Sequence, residues 1–145
     1  MADGFNILLI EDNLEHLRLT KYILEKNNVS GEVFVVRDGQ EAIDFLYQRD
    51  KFADPTKNPR PHLVLLDLNI PRVDGKEVLK TIKSDQMLKD IPVIVVSSSD
   101  REEDVNYAHE LGASAYFSKS DGFEKLNDAL ASINTLASKG KQKPL

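Results

Sequence analysis

The chain has 145 residues, 24 of them acidic and 19 basic, a formal net charge of −5, and neither Cys nor Trp. That length suits one compact domain, which buries about two-thirds of its unfolded surface and needs no metal or disulfide to hold it. The missing thiols exclude Cys nucleophiles, zinc–thiolate sites and iron–sulfur clusters, and the acidic balance argues against a nucleic-acid partner bound through a basic surface.

No apolar run approaches the roughly 18–20 residues of a membrane span. Met1-Ala2-Asp3-Gly4 carries an acid where a secretory signal needs basic residues, so a cytoplasmic protein without membrane contact is expected.

In chain order, a short apolar strand over Asn6–Ile10 precedes a helix from Asn13 to about Asn27, with Leu14, Leu17 and Leu24 on its apolar face. A strand over Glu32–Val36 follows. The next helix runs from Asp38 or Gly39 to about Arg49, carrying Ala42, Ile43, Leu46 and Tyr47. The segment from Gln48 to His62 holds three of the six prolines and reads as a rigidified, solvated loop without helix. The remaining strands are expected at Leu63–Leu66, Pro92–Val96 and Ala115–Phe117. Helices alternate with them: Gly75–Asp85 with Val78, Leu79 and Ile82, then Arg101–Gly112 with Val105, Ala108 and Leu111. The last starts at Asp121 and presents Phe123, Leu126, Leu130, Ile133 and Ala137 at alternating steps of three and four, a spacing that resembles a coiled-coil seam but is more often a face packed on a sheet. Gly112 is a candidate C-cap; Ser99, Asp100 and Asp121 are candidate N-caps.

The runs at Leu63 and Val93 show no polar alternation, as expected of strands covered on both faces. Strict alternation of strand and helix builds right-handed βαβ units, hence an α/β three-layer sandwich whose ligands sit outside the carboxyl ends of the strands. Those ends carry Glu11 and Asp12, Asp67, Ser97 and Lys119. Each acid alone reads as a helix cap or a solvated loop residue; four strand ends of five carrying chemically useful groups point to a site.

Three carboxylates a few ångströms apart repel by about 4 kcal/mol per pair at an effective dielectric near 20. They must share protons or bind a cation, and an all-oxygen donor set with room for water suits Mg²⁺. Lys119 and Ser97 would supply a point charge and a hydroxyl to a phosphoryl group, leaving Asp67 as the uncommitted nucleophile.

The runs Ile7-Leu8-Leu9-Ile10-Glu11-Asp12-Asn13, Leu63-Val64-Leu65-Leu66-Asp67-Leu68-Asn69-Ile70-Pro71 and Asp74-Gly75 resemble a two-component response-regulator receiver domain. So do Ile91-Pro92-Val93-Ile94-Val95-Val96-Ser97-Ser98, Leu111-Gly112-Ala113 and Tyr116-Phe117-Ser118-Lys119, in order, from about Asn6 to Ala137. The resemblance implies a flavodoxin-like fold with a parallel five-stranded sheet of order 2-1-3-4-5. It implies Asp67 as phosphoacceptor, Glu11, Asp12, Asp67 and the Asn69 backbone carbonyl as Mg²⁺ ligands, and Ser97 as the hydroxyl that moves onto the phosphoryl group. Tyr116 would be the aromatic that follows it inward and Lys119 the partner of a phosphoryl oxygen. The implied chemistry is transfer from a phosphohistidine of a sensor histidine kinase or a phosphotransfer protein, mostly by positioning and charge neutralisation. Asn69 and Ser99 fall where family members tune loss of the phosphate to water.

The family usually has Pro after the Lys, joined by a cis bond; here Ser120 stands there. A cis bond before a non-proline costs about 2.5–4 kcal/mol, so trans is expected. With Arg37-Asp38-Gly39, Arg60-Pro61, Gly75-Lys76-Glu77-Val78-Leu79, Lys119-Ser120 and the long loop, the narrower resemblance is to stand-alone receivers that partner bacterial phytochromes, some of them homodimers.

The receiver is expected over residues 1–138, with 139–145 a frayed tail and no output domain, so the response passes to a downstream protein through the fourth helix, fifth strand and fifth helix. His16, His62 and His109 show no metal spacing and are given ordinary surface roles. Two other readings compete. A haloacid-dehalogenase-like phosphatase wants a second acid where Asn69 stands, and a phosphate-independent binding module would not need the full acid and Lys set.

Overall fold

The computed structural model describes residues 5–27, 32–119 and 123–130. Strands β1 (Ile7–Ile10), β2 (Val33–Val36), β3 (Leu63–Leu66), β4 (Val93–Ser97) and β5 (Ala115–Ser118) form one parallel sheet in the order β2-β1-β3-β4-β5. Helices α1 (Leu14–Lys26), α2 (Gly39–Leu46), α3 (Gly75–Ser84) and α4 (Glu102–Leu111) connect them, and α5 is helical over 124–130.

The apolar runs lack alternation because both faces of the sheet are covered. On one face Leu8, Ile10, Val64, Leu66, Val93 and Val95 pack with Phe45, Val78, Ile82 and Ala108 from α2, α3 and α4. On the other, Ile7, Leu9, Leu63, Leu65, Ile94 and Val96 pack with Leu17, Ile23 and Leu24 of α1 and with Leu126 and Leu130 of α5. The two-residue period of a strand sends successive side chains to these two cores. Val33–Val35 and all of β5, at the sheet edges, are only half-buried.

Caps set the helix starts. The side chains of Asn13, Asp38 and Asp74 accept hydrogen bonds from the backbone N–H groups of His16, Glu41 and Lys76. Gly112 ends α4 at φ 107°, a left-handed conformation that glycine adopts without a Cβ penalty. The α4 N-cap is Arg101 rather than Ser99 or Asp100, with no side-chain capping bond, because the Ser99 hydroxyl donates to Asp104 instead.

The proline-rich segment differs from a plain solvated loop. Asp50–Phe52 form one 3-10 turn, with φ of 55° at Gln48 and 52° at Asp50, and the Phe52 ring packs edge-on against core Phe45 at 5.2 Å. Burying one aromatic ring anchors the turn. The loop rejoins the sheet at the amino ends, where the His62 N–H donates to the Asn6 carbonyl. The Lys119–Ser120 bond, Asp121, Ile133, Ala137 and the tail fall outside the described residues.

Candidate functional site

Register creates the site. Ile10 pairs with Leu66 and the Asp67 N–H donates to the Ile10 carbonyl, so Glu11 and Asp67 leave the carboxyl ends of adjacent strands side by side. Both are buried, at 3% and 5% exposure. Glu11 Oε2 accepts the Asn13 N–H at 3.0 Å and Asp67 Oδ1 accepts the Asn69 N–H at 2.9 Å. Their inner oxygens share one cation: Lys119 Nζ donates to Glu11 Oε1 and to Asp67 Oδ2, each at 2.9 Å. Each Asp67 oxygen thus has one partner, where a side chain with no other employment was expected. Burial pushes the Glu11 carboxyl above its ordinary value; the Lys119 hydrogen bond opposes this and the Asp67 charge adds to it.

Glu11 and Asp67 meet through the lysine, while Asp12 is exposed and uses its backbone carbonyl to accept Arg37 Nη2 at 2.7 Å. Among the described residues no three acidic or His side chains form a metal-holding group. Glu11, Asp12, Asp67 and Asn69 nonetheless line one cleft of about 230 Å³. This oxygen-only donor set fits a hard divalent cation by its chemistry.

Ser97 is fully buried, and its Oγ accepts Asn69 Nδ2 at 3.3 Å and the Ser99 N–H at 3.2 Å. The neighbouring Ser98 lines the cleft, with its Oγ accepting Asn69 Nδ2 at 2.7 Å. Tyr116 stands on β5, away from the cleft, and its hydroxyl donates to the Ser99 carbonyl at 2.8 Å. Sequence reasoning missed Ser98 and His16. The imidazole of His16 lines the cleft beside Lys119, so its expected surface role does not hold. The available signal was its place in the first turn of the helix that begins at the acidic strand end.

The loop after β4 is held by Asp104 on α4, which is 4% exposed. Its carboxylate accepts Ser99 Oγ and Arg101 Nε and pairs with Lys76 of α3 at 2.6 Å. Lys76 above all, then Ser99 and Arg101, holds the Asp104 carboxyl far below its ordinary 3.8. A depressed folded-state value adds stability that is full above the unfolded value and lost as pH falls through the folded one. Asp104→Asn is therefore expected to cost about 2 kcal/mol at neutral pH, the scale of hydrogen bonds to a charge. Its denaturant midpoint should also fall less steeply than the parent's below about pH 4. Parallel acid profiles would show that Asp104 is not the group that titrates.

No helix among the described residues is long and apolar enough to cross a membrane. A family model described as the response regulator receiver domain matches residues 7–131. The chain is 41% identical to the response regulator Rcp1 of Synechocystis over 130 residues, covering 87% of this chain and 86% of that protein. It is 36% identical over 131 residues to the probable methanogenesis regulatory protein FilR2 of Methanothrix harundinacea, covering 90% and 82%. Among solved structures it is similar to the phosphorylated cyanobacterial phytochrome response regulator RcpA, with TM-score 0.81, 39% identity and coverage of 94% and 96%. It is also similar to the Mn²⁺-bound form of Rcp1, with TM-score 0.80, 38% identity and coverage of 91% and 93%.

Proposed function

The chain belongs to the response-regulator receiver family of two-component signalling, and from that premise we propose that Asp67 is its phosphoacceptor and that Glu11, Asp12, Asp67 and the Asn69 carbonyl hold Mg²⁺. The observation that carries this reading is the Lys119 ammonium seated between the buried Glu11 and Asp67 carboxylates at the carboxyl end of the sheet.

A carboxylate oxygen of Asp67 attacks the phosphorus of a phosphohistidine on a sensor histidine kinase or phosphotransfer protein. The P–O bond forms as the P–N bond breaks, and the electron pair returns to the donor imidazole, which takes up a proton. The Asn69 N–H orients the attacking carboxylate. Lys119 turns the N–H it gives to Asp67 towards a phosphoryl oxygen, neutralising charge that grows at the equatorial positions. A Mg²⁺ held by Glu11, Asp12, Asp67 and the Asn69 carbonyl would supply further charge neutralisation.

Ser97 lies next to Asn69, and Tyr116 is tied to the Ser99 carbonyl, so an altered Asp67 is felt along β4 and β5. Phosphorylation shifts an equilibrium between two arrangements of this loop, and the surface of α4, β5 and α5 passes it to a downstream protein or a second copy. The names of the relatives favour a phytochrome-type kinase as the input.

Incubation with Mg²⁺ and acetyl phosphate is expected to raise the intact mass by one phosphoryl group in the parent and not at all in Asp67→Asn. A parent that gains nothing would favour a phosphate-independent binding module. Tryptophan quenching cannot serve as the readout, since the chain has no Trp.

A further inference from the structure

An ammonium group has three N–H donors and no lone pair. For Lys119 each donor has a partner at 2.9 Å: Glu11 Oε1, Asp67 Oδ2 and His16 Nδ1. An imidazole nitrogen accepts only through a free lone pair, so His16 is neutral here and carries its ring proton on Nε2. Burial first, then the Lys119 charge, hold this imidazole below its ordinary 6.5, against the opposite pull of Asp67 and Glu15. The ring is itself held in place. The His16 backbone N–H donates to Asn13 Oδ1 at 3.0 Å, fixing the chain beneath the ring, and the Phe123 ring stands 5.8 Å from the imidazole at a 49° tilt.

We propose that His16 is a positioning residue for phosphoryl transfer, its Nδ1 anchoring the Lys119 ammonium while the lysine's bond to Asp67 is exchanged for one to the phosphoryl group. The inference rests on the reading of Asp67 as phosphoacceptor. A four-carbon lysine stem has many rotamers, and of the two carboxylate bonds that restrain it the one to Asp67 is lost when that carboxylate becomes an acyl phosphate. The bond to His16, like the one to Glu11, is left intact by the chemistry. It keeps Nζ beside Asp67 through the exchange and shortens the search for the productive geometry.

The test compares the parent with His16→Asn, whose Oδ1 takes the place of Nδ1 as an acceptor, and with His16→Leu, which keeps bulk without an acceptor. Each is incubated with acetyl phosphate and Mg²⁺, and the intact mass is followed in time, with circular dichroism confirming the fold. His16→Leu is expected to be phosphorylated about tenfold more slowly, the loss of one charge-assisted hydrogen bond, and His16→Asn to recover most of the rate. Equal rates in His16→Leu and the parent overturn the proposal. So do equally slow rates in both variants, which would assign the effect to ring packing on Phe123. Nitrogen NMR of the parent without metal or phosphodonor should show the Nε2–H tautomer of His16 at neutral pH, and an Nδ1–H tautomer also overturns it. A parent that takes up no phosphate overturns the Asp67 reading, and this one with it.

Discussion

Lys119→Met is expected to destabilise the metal-free protein by about 3–5 kcal/mol at neutral pH, the usual result of removing one partner from a buried ion pair. The lysine side chain is 7% exposed and lies between carboxylates that are themselves buried. Without it, Glu11 and Asp67 keep one backbone N–H each and face one another uncompensated. The sign with pH follows from Glu11. Burial already raises its carboxyl, and the hydrogen bond and charge of Lys119 are what lower it. Removing the lysine raises it further, so the folded state binds a proton more readily than the unfolded chain and the variant regains stability as pH falls. A divalent cation should restore stability as well, by binding the folded state alone. Urea unfolding at neutral and mildly acidic pH, with and without Mg²⁺, reads all three. A variant as stable as the parent in metal-free buffer at neutral pH would mean that the lysine is not what offsets the two acids.

Gly75→Ala should be nearly as damaging, for a reason independent of charge. A Cβ built at Gly75 meets backbone on every near side: the Asp67 and Leu68 carbonyl oxygens at 2.7 Å, and the Leu68 Cα closer still. Backbone has no rotamer to move into, so relief requires shifting the chain next to Asp67 or the start of α3. The Gly75 N–H, which donates to the Leu68 carbonyl at 3.2 Å, would move with it. Overpacking of this kind costs about 3 kcal/mol. Because the displaced carbonyl belongs to Asp67, phosphoryl uptake should fall under conditions where the variant is still folded. Denaturant unfolding and the mass assay together check this; loss of stability with an unchanged uptake rate would mean that the strain is absorbed in α3 and never reaches Asp67. Gly39 has the same close approach, with the Val73 carbonyl carbon and Cβ each 2.6 Å from a built Cβ. Neither restriction can be read from composition, since a glycine beside a helix start also serves as an ordinary cap.

Much of the framework was legible because it is written in local patterns. Apolar runs of four or five residues, helical spacing between them and capping side chains at Asn13, Asp38 and Asp74 all act within a few residues. The predicted ends hold to within one or two residues except at α2, which stops at Leu46 where the chain turns through a positive φ at Gln48, and at α5, expected from Asp121 and described as helix only from residue 124. The 3-10 turn at Asp50–Phe52 was not legible, because its anchor is a contact between Phe52 and the core. Ser99 illustrates the opposite case. Its sequence position suits a cap, yet its hydroxyl bonds to the Asp104 carboxylate, a buried charge that Lys76 brings in from another helix.

By itself the sequence determined the alternation of five strands and five helices, and with it which residues stand at the carboxyl ends of the strands. Only the tertiary structure decided how those residues meet. Lys119 joins Glu11 across 108 positions, Asp67 across 52 and His16 across 103. Periodicity encodes which face of an element is apolar, and it is blind to register and to the rotamer of a side chain beyond the strand end. Three acids therefore read as a cluster needing a cation. The fold leaves Asp12 exposed at the cleft it shares with the other two and places one ammonium group, anchored by a histidine that no motif marks, between Glu11 and Asp67.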